Sequence, residues 1–314
     1  MTFEGVLPIW KPEGFTSHDV VAVARRSLQI KRIGHTGTLD PMVTGVLPLC
    51  IGRATRMVEY IQDLPKQYEA ELTLGISTNT EDWTGEILEQ VDSISIDQAT
   101  IERVLATFVG EIEQIPPMFS ALKQGGVKLY ELARQGIEVE RKVRLVQIFK
   151  LELIETNLED KHPKIRFLVD CSKGTYIRTL CVDIGRKLGF PAMMSSLVRT
   201  RSGPFRREDC VTIEELRAFQ ENEKLHALLV DEQIALNHLS IVTIPDWAAL
   251  KLVQGQVLHR SRLPQGCYEQ ATTKLFRLYD DSNRFVGLFQ FDEQTGNIVA
   301  TKVFATPEQW STTS

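Results

Sequence analysis

Several things are missing from this sequence. Its five cysteines (Cys50, Cys171, Cys181, Cys210 and Cys267) are scattered, odd in number and never spaced C-x-x-C. That argues against a disulfide framework and a thiolate zinc site, and fits a reducing cytoplasm. No stretch approaches ~18 consecutive apolar residues, and the opening MTFEGVLPIWKPEGF has no basic segment leading into an apolar one. A chain that is neither secreted nor membrane-spanning is expected. The phosphate loop G-x-x-x-x-G-K-[ST], the nucleophile elbow G-x-S-x-G and the dinucleotide fingerprint G-x-G-x-x-G are absent, as is any His/Asp/Glu spacing typical of a metal site. Covalent catalysis without metal or organic cofactor is the simplest chemistry left.

What is present is an ordinary globular composition: 314 residues, 43% hydrophobic and 25% charged. Length suggests two domains, or one large domain with an appendage. The net charge of −5 conceals strong segregation. Between Gly5 and Arg56 seven basic residues face three acidic ones, and between Asp170 and Arg207 eight face two. From Ile76 to Gln114, Arg103 stands alone against nine carboxylates. Such a chain can present a basic face to a polyanion while its back stays acidic, although solvated helix faces would give the same counts.

The apolar run Gly5–Ile9 stops at the turn Lys11-Pro12-Glu13-Gly14, and Thr16-Ser17 caps an amphipathic helix from His18 to Leu28. Strands are expected at Val46–Ile51, at Tyr68–Leu74 from its period-two alternation, at Val146–Ile154 and at Ile165–Asp170. Helices are expected at Ile101–Val109, at Lys128–Gln135 and, with charge, at Ile213–Leu229. Thr175–Leu188 reads as a strand running into a helix. Strands and helices mix without a regular βαβ cadence, which favours α+β over a doubly wound sheet. From about Leu239 the texture changes to short strands, Phe276–Tyr279, Arg284–Phe291 and Ile298–Phe304, forming a small β-rich module. Domains 1–238 and 239–314 are expected, with an arm inserted at about 115–145.

Two strings can carry chemistry. In Gly34-His35-Thr36-Gly37-Thr38-Leu39-Asp40-Pro41, glycines and threonines make a tight loop, and Pro41 holds Asp40 extended. A carboxylate fixed in this way is a candidate nucleophile or base, whereas an isolated T-L-D-P is also the signature of a turn. In Cys171-Ser172-Lys173-Gly174-Thr175-Tyr176-Ile177-Arg178, a strand would put Tyr176 and Arg178 on one face, as a plate for a flat heterocycle or a partner for a carboxylate. A core-edge tyrosine beside a surface ion pair would read the same. Tyr68, His35 and Leu197 are weaker signals.

Taken together, WKPEGFTSHD, GHTGTLDPMVTGVLPLCIGRATR, KQYEAELTLG, STNTEDWTGE, QIPPMFSALKQGGVKLYELARQG, CSKGTYIRTL and SSLVRTRSG resemble the bacterial TruB-type tRNA pseudouridine synthases. The match runs from Gly5 to about Phe205, and GHTGTLDP followed by SKGTYIRT is its most specific part. Trp10 departs from the Asp or Asn that many members place before Lys-Pro. The tail, with QGQVL at 254–258 and RFVGL at 284–288, more diffusely resembles a PUA-type RNA-binding module.

The resemblance implies a catalytic domain on a mixed, largely antiparallel sheet, isomerising uridine to pseudouridine at position 55 in the T-loop of tRNA. Asp40 would be the nucleophile, at C6 of the base or C1′ of the ribose, with Arg178 pairing its carboxylate. Tyr68 would stack on the flipped base and assist proton removal. Tyr176 and Leu197 would wall the pocket, His35 would meet the opened T-loop, and Lys11 would contact substrate. The basic stretches and the arm would bind phosphates. A monomer acting on tRNA without guide RNA, membrane or cofactor is expected. The rival readings are a guide-RNA-dependent synthase and a non-catalytic RNA-binding chaperone.

Overall fold

The computed structural model describes residues 4–218, 228–231 and 233–306. The chain divides into two compact units, Met1–Val230 and Asp231–Ser314, so the boundary expected after residue 238 falls inside the second unit.

The first unit runs β1 (Gly5–Lys11), α1 (Ser17–Leu28), β2 (Ile33–His35), β3 (Thr44–Ile51), α2 (Val58–Gln62), β4 (Lys66–Leu74), β5 (Ile76–Thr78), β6 (Ile87–Gln90), α3 (Gln98–Ala106), β7 (Gly110–Gln114), β8 (Lys123–Gln124), β9 (Val127–Lys128), α4 (Leu129–Arg134), β10 (Arg144–Asn157), β11 (Lys164–Cys171), α5 (Ile177–Leu188), β12 (Ala192–Ser202), β13 (Phe205–Arg206) and α6 (Ile213–Ala218). The main sheet has the order β1-β3-β12-β4-β11-β10-β7, antiparallel except between β3 and β12. It is the mixed sheet that the resemblance implies. Along the outer edge of β1, Val6 N–H donates to Val230 and Trp10 N–H to Val211. These bonds cover part of that edge.

Local sequence explains the elements around the site. Thr16 and Asp19 form a reciprocal capping box at the start of α1, and Val20, Val21, Val23, Ala24 and Leu28 bury its apolar face. In β4 the alternation puts Ala70, Leu72 and Leu74 in the core with Tyr68 on the same face, while Glu69 and Glu71 face the other way to Arg166 and Lys164 of β11. β12 pairs along β4 with Leu197 opposite Ala70 and Arg199 opposite Tyr68. A bulge between Arg199 and Arg201 then breaks the alternation, so Arg199 meets Tyr68 while Arg201 reaches Asp170 from the opposite face.

The structure corrects two expectations and leaves a third partly outside the described residues. Tyr176 and Arg178 do not share a strand: Gly174, at φ 80°, turns the chain, Tyr176 is the N-cap, and Arg178 lies in the first turn of α5. Ile213–Ala218 is the described part of the charged helix, and residues 219–227 of that reading lie outside the described residues. The tail is not all strand. Its β14 (Ser240–Ile244), β15 (Leu258–His259), β16 (Leu275–Asp280), β17 (Phe285–Phe291) and β18 (Asn297–Val303) form a sheet in the order β14-β16-β17-β18-β15. A helix, α7 (Asp246–Val253), buries Ala248, Ala249 and Leu252 against that second core. Pro245 followed by Asp246 was its legible start signal.

Candidate active site

The nucleophile candidate sits on a braced loop. After β2, Thr36 N–H donates to the Pro48 carbonyl (3.1 Å), and the buried Ser17 hydroxyl accepts from Leu39 N–H at 2.9 Å. Val43 N–H closes a turn on the Asp40 carbonyl at 3.0 Å. The Pro41 carbonyl accepts both from Gly14 N–H (2.9 Å) and from the Lys11 ammonium (3.0 Å). Lys11 is fully buried and also donates to Pro12 and Phe15, so its three hydrogens are spent on carbonyls. It braces the loop instead of facing the cleft, which corrects its expected role in contacting substrate. Burial, partly opposed by Asp40 and reinforced by Arg199, lowers the Lys11 amine from 10.5 to about 8.

Asp40 itself is half exposed, and its carboxylate lies 3.1 Å from the guanidinium of Arg178, whose side chain is 8% exposed. Two carbonyls hold that guanidinium: Thr80 accepts from Nη1 (2.9 Å) and Phe119 from Nη2 (2.8 Å). A second carboxylate, Asp82, stands 3.7 Å from Nη1. Glu81 between them adopts φ 65°, which turns the Thr80 carbonyl and the Asp82 side chain toward one arginine. The Glu81 carboxylate accepts from the Thr179 hydroxyl at 2.6 Å, tying this loop to α5. Asp82 in turn accepts from the Thr80 and Thr84 hydroxyls and from Thr84 N–H. Arg178 therefore reaches Asp40 as a rigid fork.

Tyr176 is fixed through its backbone, because the Gln114 amide accepts from its N–H (2.9 Å) and donates to its carbonyl (3.0 Å). Leu197 is buried on β12 and faces Ala70. His35, at the end of β2, packs edge-to-face on His18 with ring centroids 5.3 Å apart. Burial, then the neighbouring His18 and Arg199, lowers the His35 imidazole below its ordinary value. Burial raises the Tyr68 hydroxyl, while nearby Arg199, acting both as a charge and as a hydrogen-bond donor, pulls it back. Asp40 thus meets Arg178 and its charge reaches Tyr68, with His35 at the start of the Asp40 loop, so the four residues come from three segments: the end of β2 with its loop, β4 and α5. Sequence reasoning missed Asp82, Glu81 and Arg199. Asp82 and Glu81 lie in STNTEDWTGE and Arg199 in SSLVRTRSG, but only the folded loop and the strand register give them a function.

Among the described residues no group of three or more His, Cys, Asp or Glu side chains could hold a metal ion, and no helix is long and apolar enough to cross a membrane.

The chain superposes on the protein of a Cbf5–Nop10–Gar1 complex with a TM-score of 0.74 at 28% identity, covering 98% of this chain and 86% of that one. An archaeal box H/ACA Nop10–Cbf5 complex gives 0.71 at 27% identity, covering 98% and 88%. In sequence, residues 25–177 match the N-terminal domain of TruB family pseudouridylate synthases, and residues 178–237 match the C-terminal domain of tRNA pseudouridylate synthase B. The tRNA pseudouridine synthase B of Bacillus pumilus is 53% identical over 256 residues, covering 81% of this chain and 83% of its own. That of Halalkalibacterium halodurans is 45% identical over 312 residues, covering 98% and 100%. The chain belongs to the TruB family of pseudouridylate synthases.

Proposed function

We propose that the protein isomerises uridine to pseudouridine in tRNA, at position 55 of the T-loop, with Asp40 as nucleophile. The base must leave its stack to be reached, and the unstacking is offset by protein contacts. Asp40 forms a bond to C6 of the base or C1′ of the ribose, the N1–C1′ bond breaks, the uracil turns in the pocket, a C5–C1′ bond replaces it, and the Asp40 bond is released. A proton leaves C5 and one is gained at N1, so the reaction is a net isomerisation. The observation that carries this reading is the half-exposed Asp40 carboxylate held 3.1 Å from a buried arginine on a braced loop. Arg178 orients that carboxylate, Tyr68 offers its ring to the flipped base and its hydroxyl to proton transfer, and Tyr176 and Leu197 line the pocket. His35 occupies the T-loop where the base was extruded.

Bare tRNA transcript is the expected substrate, with a monomeric, cytoplasmic enzyme needing neither guide RNA nor cofactor. Conversion of a prefolded T-arm hairpin in EDTA tests the last point, and strict loss restored by a single metal would refute it. The second unit adds phosphate and sugar contacts to full-length tRNA in the manner of a PUA module, which raises affinity and salt sensitivity. The decisive experiment is pseudouridine formation on unmodified tRNA, followed by site mapping. Conversion at position 55 by the purified chain alone is the expected result, and its absence with verified folded protein and RNA overturns the reading.

A further inference from the structure

Arg199 is among the largest side chains in the molecule to be wholly buried, at 1% exposure. Its Nε donates to the Val46 carbonyl at 2.7 Å and its Nη2 to the Gly37 carbonyl at 3.3 Å. No carboxylate forms an ion pair with it among the described residues. A buried cation without a counter-ion is costly, and carbonyl hydrogen bonds offset the cost only in part. The backbone at this position is closely fitted as well. Gly45, at φ 122°, lies opposite Arg199 in the parallel β3–β12 pairing, and a Cβ there would come within 2.2 Å of the Arg199 carbonyl. The bulge after Arg199 keeps its side chain on the Tyr68 face of the sheet.

We propose that Arg199 is a positioning residue for the isomerisation, one that holds the Tyr68 hydroxyl and the loop carrying Asp40 in a single arrangement. The inference rests on the reading of Tyr68 given above. The β12–β4 register sets Arg199 opposite Tyr68, and a guanidinium has donors and no acceptor, so in a contact between the two the phenol oxygen accepts. The phenol's own hydrogen is then free to point into the pocket. Through the Gly37 carbonyl the same group grips the chain three residues before Asp40. One cation thereby ties the aromatic wall to the nucleophile loop. Other charged and titratable groups act on these two residues. Cys171 and Asp40 act on Tyr68, and Lys11, Lys66, His35 and Cys210 respond to Arg199, with Asp209 and Glu208 also acting on Cys210. Asp40, the carboxylate that acts on Tyr68, is committed to Arg178.

The test combines single-turnover kinetics on a T-arm hairpin with NMR of selectively labelled enzyme. Arg199→Lys should slow the chemical step by about tenfold or more with hairpin affinity little changed, and Arg199→Gln should slow it further. In a Tyr68→Phe background the same Lys substitution should cost less than about threefold, because its partner hydroxyl is gone. Equal factors in both backgrounds overturn the proposal. With 13Cζ-tyrosine, the Tyr68 resonance should move in Arg199→Lys, and its ionisation midpoint should rise. An unmoved resonance overturns the proposal even where Tyr68→Phe is too slow to assay. A reciprocal measurement leaves Arg199 intact: its 15N guanidinium signals should shift and exchange faster in Tyr68→Phe. If they do not, the link is absent. Wild-type turnover by Tyr68→Phe would instead strike the assigned role of the Tyr68 hydroxyl, leaving the NMR results to decide whether Arg199 holds it.

Discussion

Two arginines are buried beside the Asp40 loop, and their surroundings are opposite. Arg178 comes from a helix N-terminus and is shared between two carbonyls and two carboxylates. Arg199 comes from a strand and finds two carbonyls, with Tyr68 opposite it on β4. The first charge is paired, and while it still pulls down Glu81 and Tyr176, its particular value lies in direction: it fixes where the Asp40 carboxylate points. The second charge remains felt by its neighbours, and it contributes to the lowered values of Lys11, Lys66 and His35. A paired arginine can thus aim a reacting group, whereas an unpaired one sets the field in which other groups ionise.

The largest effects are expected where the paired side is cut. Asp40→Asn keeps shape and loses the nucleophile, so pseudouridine formation should fall below detection while tRNA affinity stays within about threefold. Appreciable turnover by a sequence-verified variant would end the assignment. Arg178→Ala leaves Asp40 and Asp82 facing each other without the cation between them, and a loss of roughly a thousandfold in the single-turnover rate is expected. Circular dichroism of the same sample separates this from unfolding. If Arg178→Ala cost less than Arg199→Lys, the comparison between the two arginines would be inverted.

The paired side was also the more legible in sequence. GHTGTLDP and SKGTYIRT announce themselves by glycines, a proline and chemically rich neighbours, so Asp40 and Arg178 could be singled out. Even there the backbone was misread. A strand was expected at Tyr176–Arg178, but the turn at Gly174 starts a helix, and the fork reaches Asp40 from a helix N-terminus. Arg199 carried no such signal. In SSLVRTRSG it is one arginine of two, and regular alternation would have put both on the same face. The bulge that sends Arg199 inward and Arg201 outward is set by pairing with β4, a partner more than 120 residues away. Asp82 was illegible for a similar reason, since its target lies on a distant helix. Lys11 was expected to contact substrate from the resemblance, although a fully buried lysine is rare; its carbonyl cage joins the turn that follows it to Pro41, which only the fold brings near.

Intermediate effects should sharpen the division between the sides. Tyr68→Leu loses both ring and hydroxyl, and about a hundredfold or greater loss is expected. Tyr68→Phe retains the stacking face, so the gap between the two variants measures what the hydroxyl contributes. Wild-type behaviour of the Phe protein would leave stacking as the only role of Tyr68. Asp82→Asn removes the weaker of the two carboxylates at 3.7 Å while keeping its hydrogen bonds to Thr80 and Thr84 possible. A smaller loss, about tenfold, should appear in the rate and not in affinity. A loss as deep as that of Asp40→Asn would show that the guanidinium is held chiefly from the Asp82 side.

The smallest effect concerns stability and reports the field of the unpaired arginine directly. Lys11 has a folded value of about 8 against an ordinary 10.5, with burial the largest cause and Arg199 a further one. Between those two values the unfolded chain binds more protons than the folded one, so this residue's contribution makes stability rise with pH across that window. Below it, holding the charged amine among carbonyls is a cost carried in full. Lys11→Met removes the titration, so the wild type should gain on the variant between near pH 7 and about pH 9.5 in urea midpoints. A constant gap would show that Lys11 does not titrate in that range. Repeating the pair in an Arg199→Gln background should shrink the gain, because the amine then moves back toward its ordinary value. Repeating it in Arg178→Ala should leave the gain intact, since Arg178 is not among the groups that act on Lys11. Equal shrinkage in both backgrounds would mean that the two arginines act on the loop through one shared field, and the distinction between an aiming charge and a field-setting charge would fail.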